Sequence, residues 1–342
     1  MTRHVPLLTI VVPCFNEAEV LPETARRIGL LLDGLVREGR IAAGSHACFV
    51  DDGSTDRTWA IICGLRHASG RVAGLKLSRN RGHQAALMAG LLAAEGDVVV
   101  SIDADLQDDV QAIGAMLRER EGGADIVYGV RGARTTDTAG KRTSAWLYYH
   151  LLRRLNVEIV FDHADFRLMN RRTIEALRQY GESNLFLRAL IPQLGFATAI
   201  VTYERAERLA GTSKYPLRKM LELALEGITS FSTRPLRIIT VLGCGMSVFA
   251  LGMTIWALLA WSVFAVTVPG WASTVIPMYL VCGVQMLCMG VIGEYVGKIY
   301  VETKRRPLFH VAEALAPLDA GGRLHLDREL AIVLQAADPV GA

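Results

Sequence analysis

Short apolar runs that end in polar clusters recur along the first half of the chain. They cover residues 7–13, 48–50, 72–77, 97–102 and 126–130, and each has the length of a buried strand. Segments with helical spacing of apolar residues follow the first three of them, at 19–36, 57–65 and 85–94, and another lies much later at 217–231. Strands that alternate with helices predict a doubly wound parallel sheet, whose strands end at one common edge.

The second half of the chain contains a very different pattern. Residues 238–293 form a run of 56 positions without one Asp, Glu, Lys, Arg or His, and Pro269-Gly270 marks a turn near its middle. One spanning helix needs about 20 apolar residues. The run therefore predicts two transmembrane helices.

The basic residues beside these spans predict the orientation. Arg234 and Arg237 precede the first span, whereas Lys298 and residues 304–306 follow the second. Because positive charge favours the cytoplasmic side, both flanks are expected in the cytosol. The expected division is a cytosolic domain at 1–233, a transmembrane hairpin at 234–300 and a cytosolic tail at 301–342.

Two stretches rich in apolar and basic residues lie before the first span. Residues 144–156 and 216–232 are interpreted as amphipathic helices in the membrane interface, with a helix that covers the sheet as the alternative for the first. The net charge of +3 gives no reason to expect a nucleic-acid partner. The six cysteines form no C-x-x-C pair, which indicates reduced thiols.

The acidic residues after the fourth apolar run are the strongest chemical signal. Asp103-Ala104-Asp105-Leu106-Gln107-Asp108 follows a predicted buried strand directly. Oxygen ligands at a strand end suit Mg²⁺ or Mn²⁺ when substrate phosphates supply the other ligands. A solvated acidic loop is the alternative.

Other polar groups also follow predicted strands. Asp51-Asp52-Gly53 can accept hydrogen bonds from a nucleobase or a ribose, although it can also be a turn before a helix. Arg131 follows the fifth run, where a guanidinium can pair with a diphosphate. The chain has no Gly-x-Gly-x-x-Gly after the first strand and no Walker sequence, so a nucleotide would be held by side chains and a metal.

Five motifs in order resemble one known family. They are Val-Val-Pro-Cys-Phe-Asn-Glu (11–17), Asp-Asp-Gly-Ser-Thr-Asp (51–56), Asp-Ala-Asp-Leu-Gln-Asp (103–108), Asp-Phe-Arg (165–167) and Arg-x-x-Gly-x-Ser-Lys-Tyr (208–215). Together with the paired spans they resemble the family-two inverting glycosyltransferases. Within that family the likeness is to the polyprenyl-phosphate branch, which includes dolichol-phosphate mannose synthases and bactoprenol glucosyltransferases, and it extends over residues 7–308.

The resemblance implies an A-type glycosyltransferase fold, with a Rossmann-like nucleotide-binding sheet, and a set of site residues. The base and ribose would be held by Pro13, Phe15, Glu17, Val50 and Asp52. The diphosphate would face Asp103, Ala104 and Asp105, with Asp103, Asp105 and Gln107 as metal ligands. Donor or acceptor phosphates would be neutralised by Arg131, Arg208 and Lys214 and also bound by Ser213. Asp165 would be the base or electrostatic partner at the reacting centre.

The activity implied is transfer of one sugar from a nucleotide donor, UDP-glucose or similar, to undecaprenyl phosphate at the inner membrane, with Mg²⁺ or Mn²⁺. A flippase in the same membrane and a second copy of the chain are further partners to consider, and GDP donors stay open. A processive polysaccharide synthase is the nearest alternative, but such enzymes carry a Gln-x-x-Arg-Trp motif that this sequence lacks. A non-catalytic nucleotide-sugar-binding membrane protein is the second alternative. Two positions, Arg81 and Asp109-Val110, depart from the family pattern.

Overall fold

The computed structural model describes residues 5–132, 163–182, 185–204, 234–264 and 271–317. The chain divides into two compact units. Within the described ranges, one unit holds the residues up to 204 together with 306–317, and the other holds 234–264 and 271–305. The two interface helices expected at 144–156 and 216–232 lie outside the described residues.

An eight-stranded sheet forms the centre of the first unit. The strands are β1 Leu8–Cys14, β2 His46–Asp51, β3 Val72–Leu77, β4 Val98–Ser101, β5 Ile126–Arg131, β6 His163–Asn170, β7 Thr198–Tyr203 and β8 Val311–Leu315. Their order across the sheet is β7-β5-β6-β4-β1-β2-β3-β8. The first five match the predicted runs within two residues at nearly every end.

The sheet is mixed, and the predicted parallel arrangement holds only within two groups of strands. Strands β4, β1, β2 and β3 are parallel neighbours, as are β5 and β7, but β6 runs antiparallel to both β4 and β5, and β8 runs antiparallel to β3. The pattern of short apolar runs had not marked β6 as a strand. Because β6 runs antiparallel to β4, the residues at the start of β6 lie beside those that follow β4.

Helices cover both faces of this sheet. They are α1 Leu21–Arg37, α2 Thr58–Ala68, α3 His83–Ala93, α4 Ala112–Glu121, α5 Arg171–Leu177 and α6 Leu187–Gln193. Apolar side chains of α1, α2 and α4 pack on one face, and those of α3, α5 and α6 pack on the other. Helix α3 approaches the sheet closely at Gly90, where a Cβ atom would lie 2.3 Å from Val11 Cγ1.

Strand β8 returns the chain to the sheet after the long apolar region. Its Glu313 carboxylate accepts hydrogen bonds from Lys76 Nζ at 2.6 Å and from Trp59 Nε1 at 3.1 Å. Arg66 Nε donates to the carbonyl of Ala316 at 2.8 Å. Residues 311–315, expected in a tail, thus form an edge strand of the sheet.

Two long helices make up the described part of the second unit, α7 Arg234–Phe264 and α8 Trp271–Thr303. Each contains a segment long and apolar enough to cross a membrane, Pro235–Met253 with a mean hydropathy of 1.8 and Leu280–Thr303 with 1.5. Apolar side chains such as Val248 and Met286 are exposed. These helices therefore differ from the buried core helices of a soluble protein.

Candidate active site

The candidate site lies at the edge where the parallel strands β1, β2 and β4 end. Phe15 to Glu17 follow β1, Asp52 follows β2, and the acidic stretch 103–108 follows β4. Because the three strands are adjacent and parallel, their following loops share this edge. The sequence motifs thus meet as predicted.

The loops after β1 and β2 are joined by hydrogen bonds. The Asn16 N–H donates to Ser54 Oγ at 2.9 Å, and Asn16 Oδ1 accepts from the Thr55 N–H at 2.9 Å. The Glu17 N–H donates to Thr58 Oγ1 at 3.0 Å. These contacts form one support beneath Phe15, whose side chain is 44% exposed and available to a ligand.

Asp52 is buried and holds the loop that follows β3. Its two carboxylate oxygens accept the backbone N–H groups of Arg81 and Gly82 at 2.7 and 2.8 Å. Burial raises the pKa of Asp52, whereas these two hydrogen bonds act to lower it. Gly53 has a φ of +66°, and a Cβ atom there would lie 2.6 Å from the backbone of Arg79 and Asn80.

Two of the residues expected to hold the base lie inside the sheet. Pro13 is a buried residue of β1, and the Val50 side chain is fully buried between β2 and α3, close to Gly90. A side chain in that position packs in the core and cannot reach a ligand. Phe15 and Glu17 are at least partly exposed at the edge, as a base-binding role requires.

The acidic stretch after β4 is held in a tight turn. Thr24 Oγ1 on α1 donates to the carbonyl of Ala104 at 2.8 Å, and the Gln107 N–H donates to Asp105 Oδ1 at 3.2 Å. Leu106 has a φ of +57°. Asp103 and Asp105 remain partly exposed, whereas Gln107 is buried.

Arg131 is engaged by protein groups. Its Nη2 lies 3.1 Å from Asp108 Oδ1, and the same oxygen accepts a hydrogen bond from the Tyr203 hydroxyl. Burial acts to lower the pKa of Arg131, but Asp108 and Tyr203 outweigh it and raise that pKa. Through Asp108 and Tyr203, Arg131 connects the end of β5 to the acidic stretch and to β7. Its side chain is only 24% exposed.

Asp165 lies at the centre of a cluster of polar side chains. It is buried and pairs with Arg167 of the same strand, which is also buried. His83 Nε2 lies 3.3 Å from Asp165 Oδ2, and Arg188 Nη2 lies 3.2 Å from the same oxygen. Gln84 Nε2 donates to this oxygen at 3.3 Å, while Gln84 Oε1 accepts the N–H of Leu187 at the start of α6.

The electrostatics of this cluster keep Asp165 ionised. Burial acts to raise its pKa, but the hydrogen bond from His83 and the charges of Arg167 and Arg188 hold the pKa well below its ordinary value. Burial raises the pKa of Asp103 to about 6, with His83 opposing this shift and the neighbouring carboxylates adding to it. His83 Nε2 is 3.6 Å from Asp103 Oδ1 and so links the two carboxylates.

A divalent cation fits the donor set beside β4. Asp103 Oδ1 is buried and has no hydrogen-bond partner within the described ranges, and Asp105 offers a second, partly exposed carboxylate. No group of three or more His, Cys, Asp or Glu side chains in the described part of the chain is arranged to hold a metal alone. Two carboxylates with ligand phosphates are the arrangement that Mg²⁺ and Mn²⁺ accept.

Several site residues were not found from sequence. His83, Gln84, Arg188 and Tyr203 join the site through contacts between elements distant in the chain, Tyr203 through Asp108 of the acidic stretch. The only sequence signal was the position of Gly82-His83-Gln84 at the start of a helix after a strand. Arg208, Ser213 and Lys214, expected at the phosphates, lie outside the described residues.

Comparisons with known proteins identify the family. The profile described as Glycosyl transferase family 2 matches residues 9–178. YkoT of Bacillus subtilis (strain 168), named an uncharacterized glycosyltransferase, is 46% identical over 96% of this chain and 99% of its own length. The bactoprenol glucosyl transferase of Shigella phage SfV is 38% identical over 88% of this chain and 97% of its own length.

Among solved structures, glucosyl-3-phosphoglycerate synthase from Mycobacterium tuberculosis is 22% identical. The match covers 66% of this chain and 79% of that chain, with a TM-score of 0.42.

Proposed function

Because the chain belongs to glycosyl transferase family 2, we propose that it moves one sugar from a nucleotide diphosphate sugar to a polyprenyl phosphate at a membrane. The assignment to the family makes it a glycosyltransferase. The lipid acceptor is supported by the likeness to a bactoprenol glucosyl transferase over most of both chains, and by the two exposed apolar helices. UDP-glucose is the proposed donor and undecaprenyl phosphate the proposed acceptor.

One observation carries the proposal. The acidic stretch after β4, the loops after β1 and β2, and the cluster around Asp165 meet at one edge of the sheet. This supports a site in which acceptors for a base, oxygen ligands for a cation and a group of paired charges would act together. Such an arrangement suits a nucleotide diphosphate whose leaving group gains charge during the reaction.

The donor would lie across this edge. Phe15 and Glu17 would contact the base, and Asp52, through the loop it holds, would shape the ribose side. Asp103 and Asp105 would hold Mg²⁺ or Mn²⁺, with Gln107 nearby in the same turn. A bound cation supplies Lewis-acid stabilisation of the departing diphosphate.

Inverting transfer is a single displacement. A phosphate oxygen of the lipid would bond to the anomeric carbon while the bond from that carbon to the donor's phosphate oxygen breaks, and nucleoside diphosphate leaves. The acceptor is already anionic near neutral pH, so little help from a base is needed. Asp165, ionised and held by four side chains, would therefore serve as an electrostatic partner that keeps His83, Gln84 and Arg188 in place.

The lipid side of the proposal rests on residues beyond the described ranges. Arg208, Ser213 and Lys214 would bind phosphate, and interface helices at 144–156 and 216–232 would seat the prenyl chain. The basic flanks of the apolar helices support an inner-membrane protein with its catalytic domain in the cytosol. A flippase would then be a natural consumer of the product, and self-association is a further proposal.

A transfer assay tests the function. Purified protein in detergent would be given undecaprenyl phosphate, Mg²⁺ or Mn²⁺, and a panel of radiolabelled UDP- and GDP-sugars. We expect one donor to give one labelled lipid carrying a single sugar. A ladder of longer products would support the processive alternative, and nucleotide binding without any lipid product would support the binding-protein alternative.

A further inference from the structure

We propose that Arg188 is a phosphate-binding residue of this site. The inference rests on the proposed function, because both of its substrates carry phosphate. Arg188 lies on α6, outside every motif that predicted the site, and its guanidinium reaches the same carboxylate that Arg167 pairs with.

The exposure of the three arginine side chains favours Arg188 over Arg131, the residue expected from sequence to bind phosphate. Arg131 is tied to Asp108, and its side chain is 24% exposed. Arg167 is fully buried. The Arg188 side chain, in contrast, is 42% exposed beside Asp165 at the same edge of the sheet.

Asp165 is shared between two guanidinium groups, which contact it at different distances. Arg167 already supplies a buried, closely placed guanidinium to this carboxylate. Arg188 contacts it at longer distances, 3.4 Å from Nε to Oδ1 and 3.2 Å from Nη2 to Oδ2. Of these two guanidinium groups, that of Arg188 is the more exposed, so it is the one that a phosphate can reach and bind through its paired N–H donors.

The support behind Arg188 fixes its position. Gln84 on α3 joins Asp165 to the N–H of Leu187, the residue before Arg188. The start of α6 is therefore anchored to the reaction centre through a side chain of α3. A guanidinium held in this way loses less conformational freedom when it binds a planar or tetrahedral anion.

The donor diphosphate and the lipid phosphate share this chemistry, and separate measurements distinguish them. The variants are Arg188→Gln, Arg188→Lys and the control Arg172→Gln, which removes one exposed guanidinium that pairs with Asp125. The first measurement is the Kd of UDP and of GDP with Mn²⁺ for the full chain in detergent. The second is KM for undecaprenyl phosphate and kcat at saturating donor.

If Arg188 binds the donor, Arg188→Gln should weaken nucleotide binding roughly 10- to 100-fold. If it binds the acceptor, KM for undecaprenyl phosphate should rise by a similar factor while the nucleotide Kd stays unchanged. Arg188→Lys should lose less in either case because it keeps a charge, and Arg172→Gln should resemble the native chain.

Two results would overturn the inference. One is a nucleotide Kd and a lipid KM for Arg188→Gln that both stay within twofold of the native values. The other is equal loss in Arg188→Gln and Arg188→Lys together with equal loss of thermal stability, which indicates a packing role. Because the nucleotide measurement needs no turnover, it remains informative if no lipid product forms and the proposed function itself fails.

Discussion

The four aspartate side chains of the site differ in burial and in their hydrogen-bond partners. Asp165 and Asp108 are buried and held by cationic or hydroxyl groups of the protein. Asp103 keeps a buried oxygen without a hydrogen-bond partner in the described ranges, and Asp105 stays partly exposed. Asp108 Oδ2 is also buried without such a partner in the described ranges, but Asp108 Oδ1 is held by Arg131 and Tyr203. The partly exposed carboxylates of Asp103 and Asp105 are therefore the ones that a cation can approach.

Replacement of Asp105 should separate these roles. We expect Asp105→Ala to lower transfer activity at least about 100-fold, because a preorganised electrostatic contact to the leaving group is lost. Asp109→Ala is the matched control, since Asp109 is exposed in the same turn and accepts the N–H of Gln111 at 2.9 Å. Activity of Asp105→Ala within threefold of native, at saturating Mg²⁺ or Mn²⁺, would contradict the metal assignment.

Two glycines allow a test of the loop held by Asp52. Gly53 and Gly39 both have a φ of +66°, but only at Gly53 would a Cβ atom meet backbone, at 2.6 Å from Arg79 and Asn80. Each substitution by Ala carries the left-handed strain of about 1 to 2 kcal/mol. We expect Gly53→Ala to lower the thermal midpoint clearly more than Gly39→Ala, and to weaken UDP or GDP binding as well.

The outcome that would contradict this expectation is equal destabilisation by the two substitutions with unchanged nucleotide affinity. That result would mean that the loop at 79–82 moves away without consequence for the ligand.

The position of a residue at the candidate site could be predicted from sequence where the residue directly follows a strand. Asp103, Asp105 and Asp52 were found in this way. His83 and Arg188 could not be, because their meeting at Asp165 depends on the pairing of β6 with β4 and on the position of α6. The role of Val50 stays a prediction, since its side chain packs in the core but a strand residue can still border a site through its backbone.

At the scale of elements, the hydrophobic pattern predicted the strands that are buried on both faces of the sheet. Strands β1 to β4 are almost wholly buried, and β5 is buried over most of its length, so these strands appear as apolar runs. Strand β6 contains the buried charges of Asp165 and Arg167, which break such a run. Strand β8 is a short edge strand with exposed positions, and neither feature gives a strong signal.

The edge strand offers a test with two truncations. The His310 carbonyl accepts the N–H of Ser78, which leads into the loop that donates to Asp52. A chain ending after Arg306 lacks β8, so we expect weaker nucleotide binding, by at least about tenfold, because the support of that loop is lost. A chain ending after Pro317 keeps β8 and should bind nucleotide like the native chain.

Native affinity in the shorter truncation would show that β8 contributes nothing to the donor site. A lowered thermal midpoint with native affinity would assign β8 to stability alone.

At the scale of the whole molecule, the sheet constrains the side of a membrane on which the segments before and after the apolar helices can lie. Strands β1 to β7 precede the two apolar helices in the chain, and β8 follows them, yet all eight belong to one sheet. Any membrane crossed by these helices must therefore have both flanking segments on the same side. This argument is independent of the basic residues that indicated the same arrangement from sequence.

Reporter fusions test that arrangement. We expect a reporter before residue 5 and a reporter after residue 317 to give cytosolic signals, and a tag between residues 265 and 270 to be accessible only from the opposite side. The measurement is the activity of compartment-specific reporters in whole cells, with a fusion to a soluble cytosolic protein as control. Opposite locations for the two terminal reporters would contradict the hairpin.

The late position of β8 in the chain also sets an order of biosynthesis. A growing chain can pair β1 to β7 early, but the ribosome must complete α7 and α8 before residues 311–315 exist. Until then β3 presents an open edge, which is a template for pairing with other chains. The sheet can be completed only after both apolar helices have been synthesised, so the addition of β8 to the edge of β3 is the last step in its assembly.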